Sequence, residues 1–159
     1  RIRSNIIYYY ANLKNFLVLG TSDKSEYSIG YFTKFGDGSA DLLPISKLYK
    51  TQLREFAKML GVPNNIITKK SSPNLWKEHI AEDELGITFE EIDCILYCLE
   101  KRLSVDEIIK KTEIKRESVE KIYQMHENSW HKRLPPKMVV ENMDEINKLI
   151  SRMENDANI

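Results

Sequence analysis

The chain has only two cysteines and no long apolar segment. Cys94 and Cys98 lack neighbouring ligands at a metal-site spacing and lie four residues apart on a predicted helix. We interpret them as reduced thiols of a cytoplasmic protein rather than as a redox pair. No apolar run approaches the roughly 20 residues of a membrane-spanning helix, and the first residues do not resemble a signal peptide. We therefore expect a cytoplasmic protein without a membrane partner.

An excess of charge of either sign is also missing. Lysine and arginine together number 24, and so do aspartate and glutamate, which gives a formal net charge of zero. No overall electrostatic field therefore favours nucleic acid or an anionic membrane. A hydrophobic fraction of 42% in 159 residues is typical of one folded domain with a core. Because position 1 is not Met, we expect a piece of a longer protein.

Apolar spacing predicts helices around one short strand in the first half of the chain. Residues 1–15 have helical spacing and contain no Gly or Pro, so we expect a helix. The apolar run 16–19 is too short for a helix and is predicted to be a buried strand. Further predicted elements are a short helix 25–31, a turn at Gly36 and Gly38, an extended segment 42–45 and a helix 49–60.

The second half of the chain is predicted to be helical after one long loop. Residues 69–82 are polar and rich in turn residues, which is typical of a mobile loop that covers a site. Thr88 and Glu91 have the spacing of a capping box at the start of a helix 88–99. Further helices are predicted over 104–111, 115–131 and 142–153.

Polar side chains of several kinds follow the predicted strand. Gly20 interrupts the apolar run, and Thr21, Ser22 and Asp23 come directly after it. Ligands of open parallel sheets bind beyond the carboxyl ends of the strands. Glu26 and a lysine at position 34 are within reach of the same loop. This stretch therefore predicts one wall of a ligand-binding site.

Three motifs in this region resemble those of ammonia-dependent NAD synthetases, which are ligases of the ATP-pyrophosphatase superfamily. They are GTSDKSE at 20–26, GYFTKFGDG at 30–38 and ADLLPISKLYKTQ at 40–52. The resemblance extends over residues 1–136. It implies an α/β fold, namely the C-terminal part of a Rossmann-like, doubly wound parallel sheet of the adenine nucleotide alpha-hydrolase type. Residues 1–87, including the loop 69–82, would belong to the nucleotide-binding part, and 88–159 would form a helical C-terminal section of the same domain.

The resemblance also implies a reaction. Enzymes of this family make NAD from deamido-NAD, ATP and ammonia through an acyl-adenylate, and they release AMP and pyrophosphate. ATP would be the co-substrate and Mg²⁺ the metal cofactor. Family members are homodimers, so a second copy of the chain is an expected partner.

Roles of single residues follow from the same resemblance. Family positions that contact ATP match Thr21, Lys50 and Ser72, and the Mg²⁺-binding glutamate matches Glu26. Family positions that contact deamido-NAD match Arg1, Lys34, Asp41, His131 and Lys132. The catalytic residues implied are Asp41 and Lys50.

Several of these residues also have an ordinary structural explanation. Thr21 could cap the helix that follows, and Glu26 could compensate the dipole in the first turn of that helix. Lys34 could be a solvated loop residue. Lys50 is harder to explain, because a cation at a helix N-terminus opposes the dipole unless an anion lies between the two.

The family's phosphate-binding loop has no counterpart in this chain. That loop has the pattern Ser-Gly-Gly-x-Asp-Ser and holds pyrophosphate through backbone N–H groups. The chain has six glycines, and no two are adjacent. We therefore expect an N-terminal half of the same enzyme to supply the loop and to cover residues 16–19, and we expect the isolated chain to be inactive.

Two other functions remain open. Residues 103–124 have the pattern of a helix-turn-helix, with Lys115 and Arg116 at the start of its second helix. The interleaved glutamates Glu113, Glu117 and Glu120 would repel phosphate, so we expect no nucleic-acid partner. An ATP-pyrophosphatase that acts on another substrate is the second alternative, and the motif at 34–41 argues against it.

Overall fold

The computed structural model describes residues 1–136, 143–144, 146–148 and 150. Within them the chain is a group of helices joined by loops, with very little β-structure. In chain order the helices are α1 (Ile2–Lys14), α2 (Lys24–Ile29), α3 (Lys50–Met59), α4 (Asn64–Ile67), α5 (Ala81–Leu85), α6 (Phe89–Glu100), α7 (Val105–Thr112), α8 (Arg116–Asn128) and a 3₁₀ helix (Trp130–Lys132).

The helices predicted from apolar spacing are confirmed, with boundaries that differ by a few residues. Helix α8 ends at Asn128 and not at the predicted His131, because the backbone tightens into the 3₁₀ helix there. The predicted helix 142–153 lies largely outside the described residues, and those of its residues that are described are helical. The short helix α4 was not predicted.

The start of α6 follows the predicted capping box. The Glu91 N–H donates to Thr88 Oγ1 at 3.3 Å, and Glu91 Oε2 accepts the Thr88 N–H at 3.2 Å. Ser104 and Glu107 make the same reciprocal pair at the start of α7. Both pairs satisfy N–H groups that the first turn of a helix leaves without a backbone partner.

The core lies along α6. Phe89, Ile92 and Ile95 of this helix are fully buried, and so are Ile108 of α7 and Ile122 of α8. Helix α6 also packs against α2 and α3. The helices after residue 88 therefore share one hydrophobic core with the segments before it, and this shared core fixes the position of α2 and α3.

The predicted buried strand at 16–19 is wrong for this chain. Phe16, Leu17 and Leu19 are 70%, 68% and 61% exposed. The only β-pairing of this segment among the described residues is a single parallel bridge between Leu19 and Leu42. A strand needs neighbours for its backbone hydrogen bonds, and residues 42–43 offer too short a partner. The doubly wound sheet is therefore not formed within the described residues.

The loop predicted over 69–82 is shorter than expected. Its last two residues are the first turn of α5, and His79 within it is only 4% exposed. The Ala81 N–H donates to the Ser71 carbonyl at 2.9 Å, which closes the loop across its base. Contacts within the folded chain therefore hold the end of this polar segment.

Helices α7 and α8 pack together as the helix-turn-helix pattern suggested. Arg116, at the start of α8, pairs with Asp106 at 2.5 Å and with Glu120 at 3.2 Å. These pairs leave the guanidinium with two acidic neighbours, which disfavours an approach to phosphate. In the described part of the chain, no helix is both long enough and apolar enough to span a membrane.

The junction of α2 with the 3₁₀ helix provides a test of packing. Gly30 ends α2 at φ +68°, and a Cβ added there would lie 2.2 Å from Ser129 Cβ. Gly86 has a similar φ of +65° with open space around it. We expect Gly86→Ala to lower the free energy of unfolding by about 1–2 kcal/mol of backbone strain. Gly30→Ala should lower the free energy of unfolding by about 1–3 kcal/mol more than Gly86→Ala does. Urea unfolding of both variants measures the difference, and equal losses would contradict the close approach.

Candidate functional site

The site is centred on the ammonium group of Lys50, which lies between two carboxylates. Lys50 Nζ is 2.6 Å from Asp23 Oδ2 and 2.7 Å from Glu26 Oε1. Asp23 is 1% exposed and caps α2 by accepting the Glu26 N–H at 2.9 Å. One turn of α2 therefore places both carboxylates beside the first residue of α3.

Burial changes the protonation of this cluster. Burial and the neighbouring Asp23 raise the pKa of Glu26, and the pairing with Lys50 opposes the change. Burial acts to lower the pKa of Lys50, but the Glu26 and Asp23 carboxylates outweigh it and raise that pKa. The lysine therefore stays charged at neutral pH, and two carboxylates compete for its charge.

The start of α3 explains how a lysine is tolerated there. Ser25 Oγ accepts the Lys50 N–H at 2.8 Å, and Asp93 Oδ2 accepts the Thr51 N–H at 2.9 Å. Helix α3 has no acidic residue in its own first turn. The sequence analysis required an anion near Lys50 to offset its position at a helix N-terminus. The structure supplies carboxylates, namely Asp23 and Glu26 at the start of α2 and Asp93 of α6.

Two further groups surround the ammonium. Ser71 Oγ lies 3.2 Å from Lys50 Nζ and 3.4 Å from Glu26 Oε1. The ring of Phe89 lies beneath Lys50, with 4.9 Å between Nζ and the ring centroid. The predicted ATP residue Ser72 instead donates to the His79 carbonyl, so in this structure its neighbour Ser71 is the serine at Lys50.

An open cavity of about 470 Å³ adjoins this cluster. It is lined by Arg3, Thr21, Gly30, Tyr31, Phe32, Thr33, Asp37, Ser72, Pro73, Leu75, Glu84 and Lys132. A smaller cavity of about 160 Å³ shares part of this lining and includes Glu26 and Ser71. Four predicted site residues, Thr21, Glu26, Ser72 and Lys132, are thus brought to one continuous depression.

Lys132 is held in place by the loop after α2. Its Nζ donates to the carbonyls of Gly30 at 2.6 Å and Phe32 at 2.9 Å. These bonds join the 3₁₀ helix to the segment that carries the second motif. A lysine more than a hundred residues away from Thr21 in sequence is therefore fixed at the same cavity.

Besides Lys50 itself, four predicted residues line neither of these two cavities. Arg1 Nε approaches the Lys34 carbonyl at 3.4 Å, and Lys34 Nζ donates to the carbonyl of His131, which is itself exposed. Asp41 Oδ2 accepts the Val18 N–H at 2.7 Å and supports the bridge at residues 19 and 42. Arg1, Lys34 and His131 thus form a separate chain of contacts, and Asp41 has a structural role.

A set of side chains holds the loop 69–82 against the cavity wall. Tyr31 donates its hydroxyl hydrogen to Glu84, and His79 Nε2 lies 2.7 Å from Glu84 Oε2. The Trp76 ring stacks on His79, with ring centroids 3.3 Å apart. The hydrogen bonds from Tyr31 and then from His79 lower the pKa of Glu84. Glu84 therefore links the loop to the segment after α2.

Acid should weaken this link before it unfolds the helices. A carboxyl whose pKa is lowered by folding stabilises above its unfolded pKa of about 4.3, and that stabilisation is lost as the pH falls through the folded value. With Trp130→Phe, Trp76 is the remaining tryptophan. We expect its fluorescence to change below about pH 4.3 while far-UV circular dichroism stays constant. Glu84→Gln should remove that transition, and an unchanged transition would contradict the link.

The donor set fits one Mg²⁺ ion only in part. Glu26 and Asp23 offer carboxylate oxygens, and Mg²⁺ is commonly held by one or two carboxylates together with substrate phosphates. Among the described residues, no group of three or more His, Cys, Asp or Glu side chains could hold a metal ion by itself. The two carboxylates therefore suit a metal that arrives with a phosphorylated ligand.

The arrangement is typical of a site for a nucleotide. Thr21 and Ser72 line the larger cavity, and Glu26 and Ser71, which contact Lys50, line the smaller one. Hydroxyl and carboxylate groups thus meet at a depression that is wide enough for a drug-sized ligand. The chain belongs to the NAD synthase family, whose model matches residues 1–136. This match confirms the resemblance found in the three sequence motifs.

Curated relatives include NH(3)-dependent NAD(+) synthetases of two archaea. The Aeropyrum pernix protein is 53% identical over 86% of this chain and 48% of its own length. The Staphylothermus marinus protein is 52% identical over 86% of this chain and 50% of its own length. The chain thus spans about half the length of the curated relatives that it matches.

Two solved structures share this fold. The NMN synthetase from Francisella tularensis superposes with a TM-score of 0.71 at 37% identity, over 86% of this chain and 52% of that chain. The NH3-dependent NAD synthetase from Campylobacter jejuni, in complex with the nitrate ion, gives 0.66 at 29% identity, over 87% and 52%. The chain has the backbone arrangement of one portion of these enzymes.

Sequence reasoning missed Ser71 and Asp93, and it named Asp23 only as part of the polar stretch after the predicted strand. Asp23 and Ser71 contact Lys50, and Asp93 binds the start of α3. Asp23 had a local signal, because an aspartate before a short helix is a typical N-cap. Asp93 had none, since it lies in the middle of an amphipathic helix and contacts α3 only through the tertiary fold.

Proposed function

We propose that this chain is one half of an NAD synthetase that converts deamido-NAD, ATP and ammonia into NAD, AMP and pyrophosphate through an acyl-adenylate. The observation that carries the proposal is the meeting of Lys50, Glu26 and Asp23 beside a cavity that is lined by family motif residues. Membership of the NAD synthase family supports the reaction class.

Lys50 is proposed to bind the phosphates of ATP. A charged lysine stabilises the negative charge that develops on the leaving pyrophosphate. To reach a phosphate, the ammonium must leave at least one of its two carboxylates. Thr21 and Ser72 contribute hydroxyl groups on the wall of the same cavity. Lys50 is thus the residue whose charge serves the chemical step.

Glu26, with Asp23 beside it, is proposed to hold Mg²⁺ when ATP is bound. The metal would polarise the phosphate oxygens and neutralise part of their charge. The two carboxylates that pair with Lys50 in this structure are those that would hold the metal. Both carboxylates would therefore be next to a cation in each state, Lys50 without ATP and Mg²⁺ with ATP.

Deamido-NAD is proposed to bind along the contacts that join α1 to the 3₁₀ helix. Arg1, Lys34 and Lys132 supply cations for a dinucleotide phosphate, and His131 lies beside them. Asp41 remains a proposed contact, although its carboxylate binds the Val18 N–H in this structure. A second copy of the chain and an N-terminal half are proposed to complete this site.

A mononucleotide is the second candidate for the carboxylate substrate. One of the structural neighbours is described as an NMN synthetase, which supports amidation of nicotinate mononucleotide. The curated relatives with higher sequence identity are NAD synthetases, and they favour the dinucleotide. The two candidates use the same acyl-adenylate chemistry and differ only in how much of the substrate is bound.

Reconstitution of the enzyme from two chains tests the proposed function. The 159-residue chain is assayed alone and together with the N-terminal half of a curated relative, with Mg²⁺, ATP and ammonium chloride. We expect no NAD from the chain alone, because it lacks a Ser-Gly-Gly loop for pyrophosphate. The mixture should form NAD from deamido-NAD. Faster amidation of nicotinate mononucleotide in the same mixture would establish the second candidate.

One variant and its control test whether deamido-NAD and ATP bind to different residues. Lys34→Ala should raise the KM for deamido-NAD and leave the KM for ATP unchanged, because Lys34 lines neither of the two cavities beside the Lys50 cluster. Lys47→Ala is the matched control, since this exposed lysine of the same region lines none of the cavities described above. Turnover by the chain alone, or equal effects of Lys34→Ala on both substrates, would contradict the proposal.

A further inference from the structure

The start of α3 is capped by side chains of other helices. The Lys50 N–H donates to Ser25 Oγ at 2.8 Å, and Ser25 in turn donates its hydroxyl hydrogen to Asp93 Oδ1. The Thr51 N–H donates to Asp93 Oδ2 at 2.9 Å. Tyr49, the residue that precedes the helix, makes no side-chain cap. Two backbone donors of α3 thus depend on α2 and α6.

Burial makes these bonds costly to lose. Ser25 is 0% exposed and Asp93 is 6% exposed, so water cannot readily replace either partner. Both oxygens of the Asp93 carboxylate accept a hydrogen bond. A buried donor left without a partner costs more than the bond itself contributes. The position of the first turn of α3 is therefore coupled to Asp93.

The same bonds fix Lys50 relative to Glu26. Ser25 is the residue before Glu26 on α2, and it binds the backbone of Lys50 directly. Asp93 holds the neighbouring N–H and, through Ser25, the Lys50 N–H as well. The Ser25–Asp93 pair thus fixes the backbone at both Lys50 and Glu26, the two residues of the ion pair.

We propose that Asp93, acting through Ser25, is a positioning residue that holds Lys50 in the orientation in which it binds ATP. This inference rests on the proposed function, because it assumes that Lys50 binds phosphate. Asp93 lines neither of the two cavities beside the Lys50 cluster. It contributes by holding the helix start from which Lys50 extends. A purely structural aspartate would support the core without affecting the ATP site more than other sites.

Asp93→Asn and Ser25→Ala test the inference against Thr88→Ala. Asparagine has a single carbonyl oxygen, so it can accept either the Thr51 N–H or the Ser25 hydroxyl hydrogen but not both, and it carries no negative charge. Ser25→Ala removes the acceptor of the Lys50 N–H. Thr88→Ala removes the cap of α6, the helix that carries Asp93, without touching α3. It therefore controls for a general loss of stability.

Two measurements are needed. In the 159-residue chain, amide hydrogen exchange by NMR reports on the Lys50 and Thr51 N–H groups. In the reconstituted enzyme, KM is measured for ATP and for deamido-NAD. We expect Ser25→Ala to lose protection at the Lys50 amide and Asp93→Asn to lose protection at one or both of the two amides. Both variants should raise the KM for ATP by about 10–100-fold. The KM for deamido-NAD should not change, and Thr88→Ala should change neither quantity.

Wild-type protection at Lys50 and Thr51 in Asp93→Asn would overturn the inference. So would an equal rise in both KM values, or an effect on the KM for ATP that Thr88→Ala reproduces. Lys50→Met separates this failure from failure of the proposed function. If Lys50→Met has a wild-type KM for ATP, the phosphate-binding role of Lys50 is wrong, and with it the role proposed for Asp93.

Discussion

Replacement of Lys50 with methionine should lower the free energy of unfolding by about 3–5 kcal/mol. Methionine retains much of the volume of the lysine stem, so packing over the Phe89 ring is largely kept. The lost charge removes the cation that pairs with both the buried Asp23 and the partly buried Glu26. An uncompensated buried charge of this kind is strongly destabilising. Urea unfolding followed by circular dichroism measures the change.

A second substitution shows whether charge is the cause. Glu26→Gln in the Lys50→Met background removes one of the two uncompensated carboxylates while keeping the side-chain shape. We expect the double variant to regain part of the lost stability. Lys58→Met is the matched control. Lys58 pairs with the exposed Glu55 of the same helix, and its replacement should change stability by less than about 1 kcal/mol. A Lys50→Met effect as small as that of Lys58→Met would contradict the buried ion-pair cluster.

Phe89→Ala should lower the free energy of unfolding by about 3–5 kcal/mol. Phe89 is fully buried at the start of α6 and belongs to the core that joins α2, α3 and α6. Its removal leaves a cavity beneath Lys50 and removes the cation–π contact. The substitution therefore affects the core and the site together. Thermal and urea unfolding of the 159-residue chain measure the loss.

The control for this prediction lies on the same helix. Tyr97 is 52% exposed, so Tyr97→Ala removes an aromatic ring of similar size from a solvated position. We expect a far smaller loss than for Phe89→Ala. Phe89→Leu should fall between the two, because it retains part of the apolar volume. Equal losses for Phe89→Ala and Tyr97→Ala would contradict the placement of the core along α6.

Local sequence signals predicted the helices well. The capping boxes at Thr88 and Ser104 and the apolar spacing of α6 and α8 are short-range patterns, and a helix forms from short-range hydrogen bonds. The same reasoning failed at residues 16–19. An apolar run indicates burial only when the chain supplies a covering surface, and the described residues of this chain supply only the single bridge to Leu42.

The composition of the site was predictable only in part. Thr21, Glu26 and Ser72 lie in motifs that resemble those of a known family, and with Lys132 they meet at one depression. The resemblance could not indicate that Ser71 lies nearer to Lys50 than Ser72 does. Adjacent serines of a loop differ in direction, and the hydrogen bond between Ser72 and the His79 carbonyl selects which one faces the lysine.

The sequence by itself determined the family, the positions of the helices and the residues that carry charge at the site. Only the tertiary structure decided the state of Lys50, which is paired with Asp23 and Glu26 while Asp93 and Ser25 hold the start of its helix. Asp93 lies more than forty residues from Lys50 along the chain. No local pattern specifies such a contact, because it arises when burial of the α6 core brings three helices together and leaves their polar groups to satisfy one another.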